Sequence, residues 1–85
     1  MLFRNVLTKI TRNLNRTDTL TAQDLFDRFS KTNSKISMEK IQRALTNLLK
    51  HNIIAATDTA IPAYYLVATK EQRKKYFSHF FPENA

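Results

Sequence analysis

The chain has 85 residues, too few for two cores, and its 42% hydrophobic and 25% charged residues suit an ordinary folded domain. Fourteen Lys and Arg against seven Asp and Glu give a formal charge of +7, which favours a polyanionic partner. Cysteine is absent, which excludes disulfides and thiolate metal sites; glycine is absent too, so any backbone position with positive φ falls to Asn or Asp.

The first element is "MLFRNVLTKITRNL", where Leu2, Phe3, Val6, Leu7, Ile10 and Leu14 share one face at helical spacing. Arg4, Lys9 and Arg12 lie on the other face. The stretch is basic and amphipathic, without the unbroken apolar core of a secretory signal, and a packed helix suits its spacing better than a transit peptide. "NRTDT" breaks the pattern with cap and turn residues.

A second helix is expected over "LTAQDLFDRFS", with Thr21 as N-cap, Asp24 at the third helical position and Leu20 and Leu25 as a hydrophobic staple. Leu25, Phe26 and Phe29 supply its buried face, and it stops near Ser30. After the basic connection "KTNSK", Ser37 caps a third helix stapled by Ile36 and Ile41. Met38, Ile41, Ala44, Leu45, Leu48 and Leu49 form its apolar face, and Asn52 stands where glycine ordinarily takes the left-handed cap.

"NIIAAT" and "AYYLVAT" read as the two strands of a hairpin, with Pro62 near the turn and Asp58 as the expected positive-φ position. A last helix follows in "KEQRKKYFSHFF", capped by Thr69, and residues 82–85 are expected to fray. Residues 1–81 thus make a single domain.

Helix, short extended link, helix, turn, helix and hairpin is the order of a winged helix-turn-helix domain. The fold class is mainly α with a small β-hairpin: a three-helix core, a two-stranded wing and an extra C-terminal helix. The residues that carry this order also resemble the N-terminal domain of the ferric-uptake-regulator family. They are Leu20, Thr21, Ala22 and Leu25, then Ile36, Ser37, Ile41, Arg43 and Leu45, then Ile53 and Ile54. Lys40, Gln42 and Asn52 replace that family's Thr, Tyr and Gly. The similarity spans residues 18–66 and excludes the family's metal-binding domain. It implies a winged-helix regulator that binds double-stranded DNA; no metal or other cofactor is expected.

In a helix-turn-helix protein the third helix enters the major groove, N-terminal half foremost. Lys40, Arg43, Asn47 and Lys50 are spaced to line one stripe, with Gln42 beside it. Arg43 suits guanine and Asn47 suits adenine by bidentate geometry. Lys31, Lys35 and Ser37 would meet phosphates before the helix. The competing reading is a solvated helix face. The wing offers Thr57, Asp58 and Thr59 and no basic residue, which fits a protein-interaction module or the accessory domain of a larger assembly such as an ATPase.

Tyr76, Phe77, Phe80 and Phe81 share a wide face of the last helix. They either complete the core or form the seam of a homodimer, as a palindromic DNA site would need. No Cys nucleophile, Gly-rich loop, His–carboxylate set or metal-ligand spacing is present, so no enzyme is expected. No apolar run reaches membrane-spanning length, and a cytoplasmic protein is expected.

Overall fold

The computed structural model describes residues 3–32 and 35–81. The expected frayed tail at residues 82–85, and Leu2 of the first apolar face, lie outside the described residues. Among the described residues four helices form where apolar residues recur at helical spacing: α1 (Phe3–Asn13), α2 (Ala22–Ser30), α3 (Met38–Lys50) and α4 (Lys70–Phe80). Three short strands, β1 (Leu20–Thr21), β2 (Ile54–Ala56) and β3 (Ala63–Leu66), make an antiparallel sheet in the order β1-β3-β2.

Local chemistry sets the helix starts. The Thr21 hydroxyl accepts from the Asp24 amide while the Asp24 carboxylate accepts from the Thr21 amide, a complete capping box. These backbone and side-chain bonds from Thr21 hold the Asp24 carboxyl below the usual aspartate range, against a smaller opposing effect of desolvation. Ser37 caps α3 by accepting from the Lys40 amide, and Thr69 with Gln72 repeats the capping box on α4.

The end of α3 is equally local. Asn52 adopts φ 58°, the Ile53 amide donates to the Leu48 carbonyl at 3.0 Å, and the Asn52 amide donates to the Leu49 carbonyl at 3.1 Å. This is a Schellman stop with Asn in the position that glycine usually takes.

The sheet differs from the expected two-stranded wing. Leu20 and Thr21 pair with Tyr64 and Ala63, so the extended link before α2 becomes a third strand. Thr21 is already extended as an N-cap (φ −79°, ψ 167°), which lets it run beside β3 without further cost. The hairpin also bends without the expected positive φ at Asp58; among the described residues Asn52 alone has one. A two-residue turn would need it, but here the loop runs from Thr57 to Pro62 and its hydroxyls organise it. The Thr57 amide donates to the Ala63 carbonyl at 2.8 Å, the Ala63 amide donates to Thr57 Oγ1 at 3.0 Å, and Thr59 Oγ1 donates to the Ile61 carbonyl at 2.8 Å.

One core joins the elements. Val6, Leu7, Ile10 and Leu14 of the first segment meet Leu25 and Phe29 of α2 and Ile41, Ala44, Leu45 and Leu48 of α3, with Ile53, Ile54, Leu66 and Tyr76 closing it. Among the described residues no buried side-chain polar atom lacks a partner. Side chains this size each gain about 1.5–3 kcal/mol on full burial, the main favourable contribution in a domain this small.

Candidate nucleic-acid interface

With Ile41, Ala44, Leu45 and Leu48 in the core, the 3.6-residue period of α3 dictates which residues face outward. Glu39, Gln42, Arg43, Thr46 and Lys50 are all exposed and fall within one stripe. Lys40 and Asn47 sit at its margin and are half-buried. The expected stripe of Lys40, Arg43, Asn47 and Lys50 is therefore divided, and Arg43 and Lys50 keep company with Gln42 and Thr46. Thr46 was not anticipated. Its signal was present in the spacing, four residues after Gln42 and four before Lys50.

Asn47 is displaced by a contact from far along the chain. The Tyr76 hydroxyl of α4 donates to Asn47 Oδ1, so the amide anticipated as an adenine reader is engaged inside the protein. Burial raises the Tyr76 phenol above its ordinary value, so it stays protonated, and a donor, further into the alkaline range.

Arg43 is exposed but not unaccompanied. Its Nη2 lies 3.0 Å from Glu39 Oε1, one helical turn back, with the two side chains 67% and 81% exposed. Such a pair is weak in water, and a phosphate or a guanine could compete for the guanidinium. Before the helix, Lys35 and Ser37 are exposed, although Ser37 Oγ already accepts from the Lys40 amide. Thr46 Oγ1 donates to the Gln42 carbonyl at 3.0 Å, within the helix.

The β2–β3 loop carries no cation, and its most prominent side chain is Ile61, 75% exposed. The aromatic face of α4 also departs from a free surface. Tyr76 is only 6% exposed, and Phe77 and Phe81 are half-buried against the core. A small domain needs that area for its own core, and these three side chains give much of theirs to it. Phe80 alone remains open, at 43%, with its ring centroid 4.6 Å from that of His51 and 4.8 Å from that of His79.

Among the described residues no cluster of three or more His, Asp or Glu could hold a metal, and no helix is long and apolar enough to cross a membrane. No protein-family model, curated protein or solved structure matches this chain.

Proposed function

We propose that this chain is a winged helix-turn-helix domain that binds double-stranded DNA, with α3 in the major groove. The observation that carries the reading is the uncovered face of α3, where Gln42, Arg43, Thr46 and Lys50 are all exposed. The order of elements and the charge of +7 support it as well. In this reading Arg43 and Gln42 contact base edges, Lys50 and Lys35 meet phosphates, and backbone contacts supply most of the affinity.

Duplex affinity measured across salt tests it. Arg43→Ala is expected to weaken binding to the preferred sequence by about 1–3 kcal/mol and to relax preference at one position. Lys50→Ala is expected to weaken all sequences alike and lower the salt slope by about 1. An Arg43→Ala variant with unaltered affinity and sequence preference would remove α3 as the reader.

A second reading is supported by Ile61. An apolar side chain 75% exposed on a wing without cations suits a protein surface better than a phosphate backbone. Under it, the domain is an interaction module of a larger assembly, and no duplex binds even at low salt. Homodimerisation through α4 is compatible with either reading, and the surface it has left is Phe80.

A further inference from the structure

Away from α3, a groove between α1 and α4 gathers four basic side chains. Arg12 comes from α1, and Lys70, Arg73 and Lys74 come from α4; they border an opening of about 500 Å3. Among the described residues no carboxylate lines this groove, although Glu71 of α4 borders the neighbouring surface together with Lys74, Lys75 and Ser78. None of the four basic residues forms an ion pair with a described residue. The Arg73 guanidinium donates to the Ala68 carbonyl at 2.9 Å, which fixes it half-buried.

This placement works against the stability of α4. Lys70 and Lys74 are one turn apart and repel each other. Lys70 and Arg73 also stand in the first turn, where the helix dipole disfavours positive charge. Glu71 in the same turn and the bond from Arg73 to Ala68 offset part of this cost, and local arrangements that oppose folding concentrate at functional surfaces.

We propose that the α1/α4 groove is a second phosphate-backbone surface for duplex DNA, separate from α3. No residue of α3 lines it, and the proposal does not require that α3 read bases. A polymer fits the groove better than a small anion does. Small phosphate ligands are held by convergent, desolvated donors, whereas Arg12, Lys70 and Lys74 are exposed. The hydroxyls of Thr8 and Thr11 at the groove already donate to the carbonyls of Arg4 and Thr8, so no neutral donor is left to sharpen selectivity there. Exposed cations that form no ion pair among the described residues are what a counterion-releasing contact needs.

The test uses the full chain with three exposed positions changed together, Arg12→Gln, Lys70→Gln and Lys74→Gln. Duplex affinity is measured from about 50 to 200 mM salt, the range in which phosphate contacts lose most affinity. The expected result is a salt slope shallower by about 2–3 and binding at low salt weaker by about tenfold or more. The thermal midpoint should equal or exceed that of the unaltered chain, because repulsion has been relieved. An unchanged slope and affinity overturns the proposal. So does a variant that loses binding of inorganic phosphate, followed by NMR shifts, while its duplex binding is intact. A parallel Arg43→Gln, Lys50→Gln variant keeps the questions apart: if it binds duplex normally the α3 reading fails, and the groove is still judged on the triple variant.

Discussion

The hydroxyl of Tyr76 donates to the side-chain carbonyl of Asn47, joining the last helix to the flank of the third. The two residues are 29 positions apart, and Tyr76 is the one buried residue that α4 contributes. The bond satisfies the phenol in the core and holds Asn47 at the margin of the exposed stripe. It makes α4 part of the support for α3.

Asn47→Ala is therefore expected to act on stability more than on DNA. Removing the acceptor takes the partner from a part-buried hydroxyl, at a cost of about 1 kcal/mol. In a domain of this size each kcal/mol lowers the thermal midpoint by about 4–8 °C. Duplex affinity of the folded variant should fall far less than that of Arg43→Ala. A double-mutant cycle with Tyr76→Phe should give a coupling energy of about 0.5–1.5 kcal/mol, and a value near zero would mean that the bond contributes nothing.

The same phenol predicts an alkaline limit. Burial raises the folded pKa of Tyr76 above its ordinary value of 10.0. The unfolded chain then loses its proton first as pH rises, so the stabilisation is fully present below about pH 10 and is lost as pH climbs through the folded pKa. Chemical denaturation followed between pH 8 and 11 should show a decline that is shallower in Tyr76→Phe. Equal slopes in the two proteins would assign the decline to other groups.

Features set by neighbouring residues were legible in the sequence, and features set by distant ones were not. Thr21, Ser37 and Thr69 cap their helices because a hydroxyl reaches an amide three residues on, and Asn52 takes the left-handed cap because no glycine is available. The core face of α3 followed from its period. Helical spacing alone could not say that α4 would cover one flank, so Asn47 was grouped with Arg43, and Thr46 was passed over. The pairing of Leu20 with Tyr64 spans most of the domain and has no local signal. In the β2–β3 loop, hydroxyl bonds among Thr57, Thr59 and Ala63 replaced the tight turn that Asp58 would have needed to make.

Asn52 offers a direct measure of what the missing glycine costs. Its φ of 58° is open to Asn at a small penalty and to Gly at none, while a β-carbon without a polar group is disfavoured there. Asn52→Gly is expected to raise stability by a few tenths to about 1 kcal/mol, and Asn52→Ala to lower it by about 1 kcal/mol. Urea denaturation of both variants checks the sign. A destabilised Gly variant would show that the Asn side chain, not the backbone, holds the stop.

Glu39 shares the exposed stripe with Arg43 and holds its guanidinium at 3.0 Å. Because both side chains are largely exposed, the pair contributes at most about 1 kcal/mol, and often less. Glu39→Gln should leave the thermal midpoint within a few degrees of the unaltered chain. If α3 faces DNA, the same change removes a negative charge beside the phosphates and releases Arg43. Duplex affinity should then rise several-fold at low salt, with the gain shrinking as salt screens the removed charge. In Arg43→Ala the same substitution should give a smaller gain, because only the repulsion remains to be relieved. Glu39→Gln binding that is unchanged at low salt would mean that this end of α3 lies away from the backbone, and the docking of the helix would have to be reconsidered.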